Sequence, residues 1–261
     1  MANRLAVVTG ASTGIGFELA HIAARQGCDL IVVANEPLIA AAAEDFRQFG
    51  TQVESVEADL STIEGVDRLL DAAGVRSIDL LFANAGVGRG GAFLEQDVAS
   101  WRHSIDTNVT GTVYLIQKVL RDMVARGEGK VLVTGSIAGY IPGSFNAIYN
   151  ATKAFIDNFA EALRNEIKDV AGVTLTTLMP GPTDTEFFAR AGMLDTQIGQ
   201  DDGKADPAKV AQDGWDALMA GKGHLVSGFA NKVQVAGAGV VPQAALAEMH
   251  RKQAEPGSGN V

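Results

Sequence analysis

The feature that most limits the possible folds is an alternation of short apolar runs, rich in Val, Ile and Leu, with longer stretches of helical spacing. The apolar runs do not alternate with polar residues, so we expect both faces of each strand to be buried, as in parallel sheets. The order strand, helix, strand predicts a doubly wound α/β three-layer sandwich with a mostly parallel, seven-stranded sheet. No stretch has the composition of a linker, so residues 1–261 are interpreted as a single domain. The predicted strands are 5–9, 29–34, 52–58, 78–83, 131–134, 173–178 and 224–227.

Charge and composition exclude several classes of partner. The net charge is −10 and no basic block occurs, which argues against nucleic acids and anionic membrane surfaces. No apolar stretch reaches about 18 residues and no signal peptide opens the chain, so we expect a cytoplasmic protein without a membrane span. With one cysteine, Cys28, and four scattered histidines, the sequence predicts neither an internal disulfide nor a metal site.

A glycine-rich turn follows the first strand. The segment from Gly10 to Gly16 has the spacing GxxxGxG and precedes a predicted helix at 17–26. Glycines let a backbone turn sharply and approach a ligand, and a helix N-terminus attracts an anion such as a pyrophosphate. The spacing matches neither GxGxxG nor a phosphate loop, so a glycine-rich turn without a ligand remains the alternative.

Other strands end in residues suited to a crevice. The second strand ends at Ala34, followed by Asn35 and Glu36, where dinucleotide folds meet the adenosine ribose. The third strand leads into Asp59, which either contacts an adenine or supports the turn. The fourth leads into the small-residue segment 84–88, as a ligand crevice requires.

Tyr149 and Lys153 are one helical turn apart in a helix predicted at 149–169. A cation in a partly desolvated cleft can lower a tyrosine pKa and make the phenol a general acid and base. Ser136, just beyond a strand, can donate a hydrogen bond to an oxygen that gains negative charge. Taken alone, the Tyr–Lys pair equally fits a solvated helix face. Asn108 lies within a long helical pattern at 97–126, where an asparagine usually faces solvent.

Two later segments have distinct compositions. Residues 184–206 combine large apolar side chains with a Gly/Asp stretch, which suits a mobile substrate lid and equally an ordinary surface excursion. A C-terminal extension at 229–261 carries a predicted helix at 242–253 and a tail at 255–261 that we expect to be frayed. Five large apolar side chains fit either the lining of an apolar substrate pocket or ordinary core, namely Phe93, Phe145, Phe187, Phe188 and Met193.

Together these motifs resemble the short-chain dehydrogenase/reductase family over roughly residues 4–228. The motifs, in order, are Thr9-Gly10-x-x-x-Gly14-Ile15-Gly16, Asp59, Asn84-Ala85-Gly86, Asn108, Ser136, Tyr149-x-x-x-Lys153 and Pro180-Gly181. The resemblance implies a Rossmann-like fold and hydride transfer between NAD(P) and a ketone, aldehyde or secondary alcohol. The alternative is a non-catalytic NAD(P)-binding interaction or sensing protein of the same fold.

The resemblance also implies roles for individual residues. Tyr149 would exchange the proton with the substrate oxygen, and Lys153 would lower the pKa of Tyr149 and hold the nicotinamide ribose. Ser136 would steady the substrate oxygen, and Asn108 would hold a water in a proton relay. The implied cofactor-binding residues are Gly10, Ser12, Thr13, Gly14, Ile15, Gly16, Asn35, Asp59, Leu60, Asn84, Ala85, Gly86, Tyr149, Lys153, Pro180, Gly181, Thr183 and Thr185.

Two departures from the family pattern bear on the cofactor and the assembly. Ala34, Asn35 and Thr13 match neither the acidic mark of NAD use nor the basic mark of NADP use. Without an acid at position 34 a 2′-phosphate is not repelled, so we favour NADP over NAD although these positions hold no cation. The chain also runs past its last strand without the family's Asp-Gly-Gly segment. We therefore expect a homo-oligomer that is a dimer through helices 97–126 and 149–169, rather than a tetramer.

Overall fold

A computed structural model describes residues 3–259. Its centre is a seven-stranded sheet in the order β3-β2-β1-β4-β5-β6-β7. Every pair of neighbouring strands is parallel, which confirms the predicted doubly wound sheet. The strands are β1 (Leu5–Thr9), β2 (Asp29–Ala34), β3 (Val53–Glu57), β4 (Leu80–Ala83), β5 (Gly129–Thr134), β6 (Val173–Met179) and β7 (His224–Val226).

Helices cover both faces of the sheet and complete the three layers. On one face, Leu19, Phe46 and Trp215 bring three helices into one apolar cluster with the strands. On the other face, Leu69 and Ile156 belong to the second cluster. The helices are α1 (Gly14–Arg25), α2 (Leu38–Arg47), α3 (Ile63–Ala73), α4 (Val98–Ile105), α5 (Thr112–Arg126), α6 (Ala147–Glu166), α7 (Phe187–Arg190), α8 (Gln197–Gln200), α9 (Pro207–Met219), α10 (Phe229–Ala238) and α11 (Gln243–Ala254).

The long helix predicted at 97–126 contains a change of winding. A π-helical segment, Asp106–Gly111, joins α4 to α5 and contains Asn108. Gly111 lies directly against the carbonyl of Leu60, since a β-carbon there would be 1.8 Å from that oxygen. Insertions of this kind reorient side chains within a helix and often occur near functional sites.

The C-terminal extension is more ordered than the sequence predicts. Helix α10 was not predicted, and the frayed tail is wrong for residues 255–259. The Gly257 amide donates to the Asp195 carboxylate at 2.9 Å, and the Gln197 amide donates to Ser258 Oγ at 3.1 Å. These contacts bind the tail to the 184–206 segment, while residues 260–261 lie outside the described range.

Within residues 3–259, no helix is both long and apolar enough to span a bilayer. No group of three or more His, Cys, Asp or Glu side chains in this range is placed to hold a metal ion.

Candidate active site

A cleft of about 1430 Å³ opens at the carboxyl ends of the strands, where the strand order reverses between β1 and β4. This switch point is where ligands bind in open parallel sheets. The volume exceeds the roughly 300 to 1,000 Å³ typical of a pocket for one small ligand. Of the predicted site residues, only Gly16 and Asn108 do not line the cleft. The fold therefore gathers in one place residues that lie up to about 175 positions apart in the chain.

The glycine turn forms one end of the cleft. Gly10 and Gly14 have φ of 65° and 61°, a region that favours glycine. Thr13 is the N-cap of α1 and makes no capping hydrogen bond through its side chain, so the first amides of the helix are not satisfied by their cap. These amides and the helix dipole suit a pyrophosphate. Gly16 packs beneath the turn, since a β-carbon there would lie 2.1 Å from the Gly10 carbonyl oxygen.

The residues after β3 and β4 have mainly structural contacts. Asp59 accepts a hydrogen bond from the Ser61 amide at 2.9 Å, which supports the turn, and it also faces the cleft. Asn84 donates through Nδ2 to the Thr9 carbonyl at 3.1 Å and accepts from Thr134 Oγ1 at 3.0 Å. The Asn84 side chain thereby ties β1, β4 and β5 together beside the cleft.

Gly86 keeps open the space beside Asn108 and Lys153. A β-carbon at Gly86 would lie 3.4 Å from Asn108 Oδ1 and 3.5 Å from Lys153 Nζ. Ala85 also lines the cleft. A wide cleft with a bare backbone beside a buried cation fits the sugar of a bound dinucleotide.

Tyr149, Lys153 and Ser136 meet at the inner end of the cleft. Lys153 is buried, and its Nζ donates to the Thr134 carbonyl at 2.7 Å and lies 5.7 Å from the centre of the Tyr149 ring. Ser136 lies close to Tyr149 and acts to lower the pKa of its phenol. Ser136 also lies 3.4 Å from the Pro180 carbonyl, so the end of β6 holds it in place.

Burial dominates the protonation of this centre. It raises the pKa of Tyr149 to about 12, while the neighbouring Ser136 acts in the opposite direction. It also lowers the pKa of Lys153, while the nearby Asp157 carboxylate acts in the opposite direction. Tyr149 is therefore a phenol at neutral pH, whereas the resemblance implies a lowered pKa for Tyr149.

Asp157 is a group that the sequence analysis did not pick out. Both carboxylate oxygens are buried and lack a hydrogen-bond partner among the described residues, and burial raises the pKa of Asp157. Gly135 and Gly139 make room for the carboxylate, since β-carbons there would lie 1.8 Å and 2.6 Å from its oxygens. The available signal was position, because Asp157 follows Lys153 by one turn on the same helix.

Asn108 is buried rather than facing solvent. Its Oδ1 accepts from the Val87 amide at 2.8 Å, and its Nδ2 donates to the Val87 carbonyl at 2.8 Å and to Thr152 Oγ1 at 3.0 Å. The side chain therefore fixes the loop after β4 against α6. The π-helical turn is what points this amide inward.

The loop after β6 forms the wall opposite the glycine turn. Thr183 Oγ1 donates to the Gly181 carbonyl at 2.9 Å, and Thr185 lies close to Gly14, where a β-carbon would be 2.9 Å from its methyl group. Gly181 packs against Asn231 of α10. The predicted residues after β6 thus border the cleft directly.

Apolar side chains of the 184–206 segment cover the end of the cleft that contains Tyr149. The Phe187 ring packs 4.8 Å from the Tyr149 ring, and Met193 lies against Gly90. Phe188 also lines the cleft, whereas Phe145 packs behind it and Phe93 is half-exposed against Trp101. Polar groups from elsewhere also line the cleft, among them Asn146, Asn150, His250 and Gln253.

Comparison with known proteins identifies the family. The family profile described as short chain dehydrogenase matches residues 4–193, which is well over half of the chain. The chain belongs to the short-chain dehydrogenase/reductase family. This short-chain dehydrogenase/reductase is an NAD(P)-dependent oxidoreductase.

Its relatives agree with this assignment. An uncharacterized oxidoreductase of Myxococcus xanthus is 37% identical over 194 residues, covering 72% of this chain and 76% of the relative. A short-chain dehydrogenase from Sphingobium yanoikuyae, solved in complex with NADPH, superposes with a TM-score of 0.80 at 26% identity, over 92% of this chain and 97% of that one. A Burkholderia phymatum family member in complex with NAD has a TM-score of 0.82 at 24% identity, over 90% and 92% of the two chains, and supports the fold.

Proposed function

We propose that this short-chain dehydrogenase/reductase interconverts a ketone or aldehyde and the corresponding alcohol, with Tyr149 as the acid and base. The supporting observation is that Tyr149, Ser136 and the buried Lys153 ammonium lie together at the inner end of the cleft. A phenol beside a hydroxyl donor and a cation is what protonation of a carbonyl oxygen requires.

Each residue has a distinct role in reduction. A bound nicotinamide supplies the hydride. Tyr149 holds its proton because burial raises its pKa, and it transfers that proton to the substrate oxygen. Ser136 donates a hydrogen bond to the same oxygen, and Lys153 stabilises the phenolate that remains. Asn108 Oδ1 and Lys153 Nζ face the same space beside Gly86, which supports a relay water between them.

We infer that NADP is the preferred cofactor. The glycine turn and the start of α1 would hold the pyrophosphate. The residues after β2 and β3 (Asn35, Asp59 and Leu60) would meet the adenosine, and those after β6 (Pro180, Gly181, Thr183 and Thr185) would meet the nicotinamide. Ala34 at the end of β2 presents no carboxylate to repel a 2′-phosphate.

The segment 184–206 is proposed to be the substrate lid. Its Phe187 and Met193 would cover an apolar substrate body above Tyr149. The Oδ1 atoms of Asn146 and Asn150 are buried in the cleft lining without a partner among the described residues. They favour a substrate that also carries a hydrogen-bond donor.

Replacement of the acid tests the proposal. Tyr149→Phe should reduce kcat/KM with any carbonyl substrate by roughly 10² to 10⁴-fold, the usual contribution of a general acid. Affinity for the cofactor, measured by fluorescence titration, should stay within a few-fold of the wild type. The control is Tyr114→Phe, because Tyr114 donates to Asp67 on the face of the sheet behind the cleft.

Two results would contradict the proposal. Full turnover by Tyr149→Phe would show that another group protonates the substrate. Tight cofactor binding by the wild type with no hydride exchange over a broad panel of carbonyls and alcohols would favour the non-catalytic binding protein instead.

A further inference from the structure

The adenosine end of the cleft contains a cation, Arg190, that comes from α7 rather than from the residues near β2. Arg190, the last residue of α7, places its Nη2 3.0 Å from Oε1 of Glu36 in the loop after β2. The Ser12 hydroxyl donates to the same carboxylate oxygen at 2.5 Å. Arg190 and Ser12 both line the cleft, as does Asn35. Residues 36 and 190 are far apart in the chain, so only the fold brings them together.

Position separates Arg190 from the other cations of the cleft. The Lys and Arg side chains lining it, within residues 3–259, are Arg89, Lys153 and Arg190. Lys153 is buried at the catalytic end, and Arg89 lies in the loop after β4. Arg190 alone of the three contacts the loop after β2, where the ribose of a dinucleotide lies.

The ion pair leaves part of its guanidinium available. The Arg190 side chain is 47% exposed and that of Glu36 is 29% exposed. The Ser12 hydrogen bond, followed by Arg190, holds the pKa of Glu36 below its usual range, so the carboxylate is charged at neutral pH. Such an exposed pair contributes little to stability and can exchange partners at low cost.

We propose that Arg190 and Glu36 together determine which dinucleotide this enzyme prefers, with Arg190 as the ligand of a 2′-phosphate and Glu36 as its competitor. A guanidinium binds phosphate through two parallel hydrogen bonds, so a 2′-phosphate can displace the single contact with Glu36. When the cofactor carries a 2′-hydroxyl instead, Glu36 stays charged and accepts hydrogen bonds from the ribose. This inference rests on the proposed function. It adds to that function an ion pair, Arg190–Glu36, that selects the cofactor.

Substitutions of the two partners should act in opposite directions. Arg190→Gln removes the cation and leaves Glu36 free to repel a phosphate. Glu36→Gln removes the repulsion and frees Arg190. Arg89→Gln is the matched control, since it makes the same change of charge at a cleft arginine away from β2.

The experiment titrates the purified full-length protein with adenosine 2′,5′-bisphosphate and with adenosine 5′-monophosphate, and then with NADPH and NADH. The measured quantity is the ratio of affinities within each pair. Arg190→Gln should lower the preference for the 2′-phosphorylated ligand at least tenfold and Glu36→Gln should raise it at least tenfold, each about 1.4 kcal/mol. Arg89→Gln should leave the ratio unchanged. Retained affinity for the monophosphate verifies that each variant is folded.

The outcomes separate the two proposals. If the affinity ratios of Arg190→Gln and Glu36→Gln are both unchanged, or both shift in the same direction, the proposed cofactor selection by Arg190 and Glu36 is overturned, even if Tyr149-dependent turnover persists. Opposite shifts of the two affinity ratios support cofactor selection by Arg190 and Glu36 even if no carbonyl substrate is turned over, because ligand binding is measured without catalysis. A wild type that binds none of the four ligands overturns both.

Discussion

At the scale of single residues, the main electrostatic interaction of the site is between the charges of Asp157 and Lys153. Asp157 lies one helical turn beyond Lys153, and its charge raises the pKa values of Lys153 and Tyr149 while burial raises its own. Burial, and after it the Asp157 charge, raise the pKa of Tyr140 as well. We interpret Asp157 as a positioning residue that keeps Lys153 protonated and Tyr149 a phenol.

Asp157→Asn should therefore move the alkaline limb of the pH profile for reduction to lower pH. Without the negative charge, the pKa values of both Lys153 and Tyr149 fall, so the protonated forms needed for reduction are lost earlier as pH rises. Because the pKa of Asp157 is itself raised, the wild-type carboxyl is neutral at acidic pH, as the amide of the variant is at every pH. The two pH profiles should therefore converge at acidic pH. The measurement is kcat/KM against pH, which reports the free enzyme.

Glu166→Gln is the control for this substitution, since Glu166 is exposed near the end of the same helix. It should leave the profile unchanged. An alkaline limb that stays in place in Asp157→Asn, or moves to higher pH, would remove Asp157 from the account of the site.

At the scale of elements, hydrogen bonds and an apolar cluster join the proposed lid, residues 184–206, to the C-terminal tail. Besides the two contacts of Gly257 and Ser258, the Gly259 amide donates to the Asp195 carbonyl at 2.9 Å. Ala254 of α11 is buried in one apolar cluster with Phe188 and Met193. The C-terminal extension therefore supports the lid from outside the cleft.

A chain that ends at Pro256 should have a more mobile lid. Three lost hydrogen bonds, at about 1 kcal/mol each, correspond to amide exchange roughly 10²-fold faster across 193–200. Hydrogen exchange with mass spectrometry measures this directly, and strands β1 to β6 provide the internal reference. Asp195→Ala, which removes only the contact to Gly257, should give a smaller increase, and unchanged exchange in the truncated chain would show that the tail does not restrain the lid.

Elements differ in how well sequence predicts them. All seven strands were predicted, because most are short apolar runs and six of them are followed within two residues by glycine, asparagine or proline. Helix α10 was missed because its apolar residues do not form a buried face, and Phe229 is 82% exposed. The tail was assigned as frayed because it is small and polar, whereas its amides are held by Asp195, which is distant in sequence.

At the scale of the whole molecule, the predicted dimer can be tested at α6. Phe155 lies on the exposed side of this helix, where it is 47% exposed and stacks on Phe159 with ring centres 6.1 Å apart. Ala151 and Asn158 lie on the same exposed side. A small-residue surface with one large apolar side chain suits a two-fold contact, in which the same patch meets itself.

Phe155→Glu should convert the dimer to a monomer, because a two-fold contact brings two carboxylates into the desolvated interface. Sedimentation velocity should give twice the chain mass for the wild type and once for the variant. Phe229→Glu is the matched control, since it adds the same charge at an exposed phenylalanine on α10. A dimer that survives Phe155→Glu, or that Phe229→Glu dissociates, would place the interface elsewhere.

The sequence by itself determined the sheet, its winding and most of the cleft lining, because apolar runs, glycines and the Tyr149–Lys153 spacing are local patterns. It also set which residues follow each strand, and parallel strands bring those residues to one edge. Only the tertiary structure decided that Asn84 ties strands together, that a π-helical turn aims Asn108 at the loop after β4, and that Asp157 lies buried behind Lys153. The same is true of Arg190, which reaches Glu36 across the cleft. These features depend on contacts between residues distant in the chain, which burial and hydrogen-bond geometry select and no local pattern encodes.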